Sequence, residues 1–131
     1  PLLRFMPKQM QRLKIPVKAV TNMNAIVNNN RVLSLLLQDK RGAGASVHLG
    51  FLCSMMESVP AIEPETFEIP LLLCHPEKDR WTPERISCLF FDRIRSAKER
   101  CTLKNAGHFP IEQPGIAQLE ESVESFIKKY Y

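Results

Sequence analysis

The apolar positions of this chain fall into two regimes that meet near residue 60, where Val59-Pro60-Ala61-Ile62-Glu63-Pro64-Glu65 sets two prolines and two acids between apolar segments. Beyond that point the pattern is regular. Ile69 to His75 is a short continuous apolar run without polar alternation, which predicts a strand covered on both faces, with Pro70 tolerated only near its start. Thr82 and Pro83 then provide an N-cap and a first helical residue. Ile86, Leu89, Phe90 and Ile94 follow at helical spacing, so a helix is expected to end near Arg95-Ser96. Arg100 to Leu103 predicts a second strand. Ile116, Leu119, Val123, Phe126, Ile127 and Tyr130 form an apolar stripe opposite Glu120, Glu121, Glu124 and Lys128, the pattern of an amphipathic helix.

Strand, helix, strand and helix within the last half of the chain predict an α/β unit in which a crossover joins parallel strands. Two parallel strands do not make a stable sheet alone, so an exposed or partner-filled sheet edge is expected. The first part supplies few strands: Ile15 to Thr21 has an extended pattern, while Asn30 to Asp39 and Ser46 to Glu57 read as helices. Ser46, after Gly42-Ala43-Gly44-Ala45, is placed to cap the helix bearing Leu49, Phe51, Leu52, Met55 and Met56. Residues 1–62 are thus read as a helical segment and 63–131 as the β-α-β-α part.

Composition adds boundaries rather than identity. With 131 residues, 44% of them hydrophobic and 24% charged, the chain can bury a core. No apolar run approaches the ~20 residues that span a bilayer, and Pro1-Leu2-Leu3-Arg4 is not a signal-type opening, so a cytoplasmic protein is expected. Without an initiator Met, residue 1 is expected not to be the native start unless a Met was trimmed, which leaves a fragment as one reading. Cys53, Cys74, Cys88 and Cys101 form no CxxC pair and sit among apolar neighbours, as free buried thiols do; with His48, His75 and His108 scattered, no metal or cofactor is expected. The net charge of +4 is uneven, since residues 1–41 hold eight Lys/Arg against Asp39 alone. Without a nucleic-acid recognition motif this predicts a solvated basic face, one that could also attract anionic lipid head groups.

The candidate chemistry lies in two loops. The apolar strand leads into Cys74-His75-Pro76-Glu77-Lys78-Asp79, then Asp79-Arg80-Trp81-Thr82-Pro83 enters the helix, and Asn105-Ala106-Gly107-His108-Phe109-Pro110 follows the second strand. In this order and spacing, the stretch from Ile69 onward resembles the last part of α/β-hydrolase fold enzymes, whose triad runs serine, acid, histidine along the chain. The look-alikes are serine esterases and lysophospholipase-like or monoacylglycerol-lipase-like hydrolases. The resemblance implies a partial α/β-hydrolase fold in which 1–62 is a cap, with Leu36, Phe51, Met55 and Met56 lining a site for an acyl ester substrate. It implies His108 as general base and Asp79 as the carboxylate that orients it, with Glu77 as the competing acid. His75 is expected to hydrogen-bond in its loop, and His48 to be a surface or core residue.

The family's nucleophile stands in Gly-x-Ser-x-Gly on a strand-to-helix turn, and no serine here matches. Ser46 comes nearest, in Gly44-Ala45-Ser46-Val47-His48, but the segment before it does not read as a strand; Cys74 lies inside one. The nucleophile is therefore expected outside this chain, in a missing N-terminal half of the core. The alternative is a non-catalytic, truncated hydrolase-like protein that binds a partner or forms a homodimer through its sheet edge.

Overall fold

The computed structural model describes residues 7–42 and 44–131; the opening Pro1-Leu2-Leu3-Arg4 and Ala43 lie outside the described residues. In chain order the elements are α1 (Lys8–Gln11), β1 (Lys14–Pro16), α2 (Asn30–Gln38), β2 (Ser46–His48), α3 (Leu49–Glu57), β3 (Leu71–Pro76), α4 (Glu84–Phe91), β4 (Lys98–Leu103) and α5 (Gly115–Tyr130). They form two compact units. The first comprises the described residues up to Met23 together with Asn30–Ala61, and the second comprises Asn24–Asn29 and Ile62–Tyr131. The break near residue 61 falls in the proline-rich stretch. The segment 24–29, by contrast, leaves its sequence neighbours and joins the second unit.

The first unit is not purely helical. β1 and β2 pair antiparallel, with Lys14 opposite His48, Ile15 opposite Val47 and Pro16 opposite Ser46, while α1 packs on α3. Ser46 is thus a strand residue rather than a helix cap. The exposed ladder of β1 offers the backbone of Ser46-Val47-His48 more hydrogen bonds than one hydroxyl cap would supply, and α3 begins only at Leu49. His48 takes the N-cap position without a side-chain cap bond, and its Nδ1 lies 2.9 Å from the Arg12 carbonyl instead. Along α3, Cys53 is buried, whereas Phe51, Met55 and Met56 are more than half exposed.

In the second unit β3 and β4 pair in parallel, from Leu71 opposite Lys98 to Pro76 opposite Leu103, and α5 packs against both strands. This is a mixed α and β arrangement with a parallel two-stranded sheet. Among the described residues the outer edges of both strands are unpaired, and Leu71 to Cys74 are only partly covered, short of the two-sided burial their apolar run predicts. On one face α5 lays Gly115, Leu119, Ser122 and Phe126 inward, and the Ser122 hydroxyl donates to Cys101 Sγ at 3.1 Å; on the other, Lys98 Nζ donates to the Phe91 carbonyl at 2.8 Å and Arg100 pairs with Glu84 at 3.5 Å, both on α4. Val123 and Ile127, assigned to the same stripe by periodicity, remain exposed.

The crossover helix shows the same rotation. α4 ends at Phe91, earlier than expected, and buries Phe91, with Ile94 buried just beyond it, while Ile86 and Leu89 face outward. Its apolar residues are nearly continuous from Ile86 to Phe91, so spacing alone does not choose the inner face. Close packing is tightest where β4 hands over to the following turn. Leu103 is 1% exposed, Ala106 is fully buried, and a Cβ on Gly115 would lie 2.7 Å from the Lys104 carbonyl oxygen and 2.8 Å from Ala106 Cβ. Truncating Leu103 should therefore leave a cavity. Leu103→Ala is expected to lower the unfolding free energy by about 2–5 kcal/mol, and Val123→Ala by less than about 1 kcal/mol. Denaturant unfolding of both variants checks this, and equal losses would contradict the packing described.

Candidate functional site

The two loops of interest leave the same end of the parallel sheet, because β3 and β4 run in register and finish together at Pro76 and Leu103. Parallel strands place their C-terminal loops side by side, which is where α/β sheets concentrate chemistry. Backbone bonds then tie the loops together. Glu77 N–H donates to the Leu103 carbonyl and Lys78 N–H to the Ala106 carbonyl, both at 2.9 Å.

Asp79 organises its own loop as well as its neighbour. Oδ1 accepts from Trp81 N–H at 2.8 Å and from Thr82 N–H at 2.9 Å, a turn built on the Asp side chain that makes Asp79, rather than Thr82, the residue ordering the approach to α4. The other oxygen, Oδ2, lies 2.9 Å from His108 Nδ1. The Asp79 side chain is 2% exposed and that of His108 33%. Burial opposes the charged carboxylate, yet the bonds from Thr82 N–H, His108 and Trp81 N–H outweigh it and hold the Asp79 carboxyl below its usual range. An ionised carboxylate only accepts, so Nδ1 is the protonated ring nitrogen and Nε2 is the basic one.

The imidazole is held by aromatic packing too. The Trp81 ring lies edge-on to it with centroids 4.6 Å apart, and Phe109 stands on another side at 6.2 Å. The turn bearing the histidine is fixed by Asn105, whose φ of 60° is a left-handed conformation that asparagine tolerates. Asn105 N–H donates to Glu77 Oε2 at 2.9 Å, its Nδ2 donates to the Gln113 carbonyl at 3.0 Å, and its Oδ1 accepts from Lys78 Nζ at 2.6 Å. Glu77 also accepts from Lys104 Nζ at 2.8 Å; its carboxyl is held below the usual range by the Asn105 amide and then by Lys104. Glu77 therefore braces the turn, and Asp79 is the acid that meets the histidine.

The remaining candidates lie elsewhere. His75 is a buried residue of β3 rather than a loop residue, with no hydrogen-bond partner for its ring among the described residues. Cys74 faces Cys101 across the ladder, and burial, reinforced by Cys101, pushes its thiol up, away from the thiolate a nucleophile needs. Ser46, in the antiparallel pair of the first unit, does not stand on a turn from a parallel strand into a helix. Leu36 of α2 is half-buried in that same unit, alongside exposed Phe51, Met55 and Met56. Among the described residues no group of three or more His, Cys, Asp or Glu could hold a metal ion, and no helix is long and apolar enough to cross a membrane.

Two recesses open beside the pair. One of about 250 Å³ is lined by both Asp79 and His108, with apolar Leu73, Pro110 and Leu119. The other, about 660 Å³, is lined by Asn28, Asn29, Lys78, Asp79, Arg80, Asn105 and Glu112. Three of these residues escape a sequence reading. Glu112 Oε2 accepts from Gly107 N–H at 3.0 Å, and Arg80 reaches Asn28 Oδ1 at 2.8 Å. The one hint along the chain is the run Asn28-Asn29-Asn30, in which Asn28 has partners some fifty residues away. Comparison with known families, characterised proteins and solved structures finds no match to this chain.

The depressed Asp79 carboxyl makes a stability prediction. Because it titrates below the unfolded value of about 3.9, its stabilisation is complete above that pH and is lost as pH falls through the lower, folded value. Asp79→Asn should therefore be less stable than the parent near neutral pH, with the gap closing in acid. Unfolding free energies measured across pH test this; a gap that stays constant down to about pH 2 would contradict it.

Proposed function

We propose that this chain is the C-terminal part of an α/β-hydrolase fold enzyme that hydrolyses carboxylic esters, with its nucleophilic serine supplied by a segment outside the sequence. The single observation that supports this most is the His108 Nδ1 to Asp79 Oδ2 contact at 2.9 Å, made by a carboxylate with 2% of its side chain exposed. A histidine oriented by a buried acid at the C-terminal ends of parallel strands is the arrangement acyl transfer needs. The unpaired outer edges of β3 and β4 support it as well, since the rest of a larger sheet would cover them.

In this reading the basic Nε2 of His108 takes the proton of the incoming serine hydroxyl as its oxygen attacks the acyl carbonyl. The imidazolium, stabilised by Asp79, then gives that proton to the departing alcohol. Water repeats the sequence on the acyl-enzyme. Glu77, Asn105 and Glu112 hold the turn that carries His108, so the ring needs little reorganisation at each step.

The test is ester turnover by the full-length protein that contains this segment. His108→Ala is expected to lower kcat by on the order of a thousandfold or more, and Asp79→Asn by about ten-thousandfold through loss of the correct tautomer. Undiminished turnover in His108→Ala would contradict the proposal, and Glu77→Gln should cost far less than either.

A further inference from the structure

Asp79 and His108 sit on separate loops, and the hydrogen bond between them survives only if those loops keep their spacing. One side chain meets both loops. Asn28 Nδ2 donates to the Lys78 carbonyl at 3.2 Å, and Asn28 Oδ1 accepts from Arg80 Nε at 2.8 Å. The two residues flanking Asp79 are thus both held by one amide. On the other side, Gly107, which precedes His108, is pressed against the same group. A Cβ at Gly107 would lie 2.8 Å from Asn28 Nδ2, closer than Cβ atoms come, and 3.0 Å from Asn28 Cγ, so any side chain here would push the Asn28 amide aside.

The segment around Asn28 is anchored independently. Phe109 N–H, just after His108, donates to the Ile26 carbonyl at 3.0 Å, and Arg80 Nη2 donates to the carbonyls of Asn24 at 3.1 Å and Val27 at 3.3 Å. Ala25, Ile26 and Val27 are buried. A loop asparagine usually serves its own turn, bonding a residue or two away. The side-chain bonds of Asn28 to Lys78 and Arg80 instead reach 50 and 52 positions along the chain.

We infer that Asn28 is a positioning residue that locks the acid loop to the histidine loop and so sets the Asp79–His108 hydrogen bond. The side chain acts in both directions, as a donor to one flank of Asp79 and an acceptor from the other, while its bulk fixes the approach of Gly107. This also explains why residues 24–29 join the second unit. The inference rests on the proposed function only for its catalytic meaning, because the bond it concerns is observable without any turnover.

The experiment follows the exchange of the His108 Nδ1 proton with solvent by NMR in the parent, Asn28→Ala, Gly107→Ala and the double variant. Losing the amide should speed exchange by about two- to tenfold, the worth of one net hydrogen bond. Gly107→Ala alone should also speed it, because the added methyl displaces the amide. The double variant should match Asn28→Ala instead of multiplying the two effects, since the methyl then has nothing to displace. Unchanged exchange in Asn28→Ala, or two effects that multiply, would overturn the inference. If Asn28→Ala does not fold, Asn28→Asp carries the test: it keeps the shape and the Arg80 acceptor but loses the donor to Lys78, and it must speed exchange too. Failure of ester turnover with the expected exchange pattern would sink the proposed function and leave this role standing.

Discussion

The Asp79 carboxylate is the group around which the second unit is arranged. Its two oxygens accept from Trp81 N–H, Thr82 N–H and His108 Nδ1, so one buried charge shapes the entry to α4 and orients the histidine. A charge with 2% side-chain exposure is tolerable only with such a set of donors, and removing any of them leaves a desolvated anion short of partners. The parallel register of β3 and β4 is what makes this set reachable. A slip of one strand by one residue would turn its side chains to the other face and move Pro76 away from Leu103, separating the two loops.

Around that core the braces are layered. Glu77 holds the turn after β4 from one side, Glu112 holds Gly107 from another, and Asn28 with Arg80 ties in a segment that is distant in sequence. Each is an exposed or half-exposed contact of modest strength, yet together they restrict a short loop whose own residues have little core to anchor them. Dynamics and chemistry meet here: an imidazole held by an acid, by Trp81 and by its turn keeps one orientation, as the proposed proton transfer requires.

How much of this the sequence disclosed depended on range. Asp79 and His108 were legible as candidates because each stands in a short, distinctive loop that follows a strand, an apolar one before Asp79. β3, β4 and α5 were legible because their patterns are local, whereas β2 lay in a stretch that reads as helix. The inward faces of α4 and α5 were not: with apolar residues on more than one side, the choice between Leu89 and Phe91, or between Val123 and Ser122, is made by the sheet they meet. Ser46 looked like a helix cap because its local pattern permits one, and strand pairing with Pro16 prevailed. Asn28, Arg80 and Glu112 were hidden because their partners are fixed by the fold rather than by spacing.

The central claim is that Asp79 fixes the tautomer of His108. The most direct measurement is the ¹⁵N spectrum of the His108 ring in labelled protein, recorded in its neutral form. The account predicts a protonated Nδ1 and an unprotonated Nε2, reverting toward the ordinary imidazole mixture in Asp79→Ala. A ring that carries its proton on Nε2, or that is indifferent to Asp79, would contradict it.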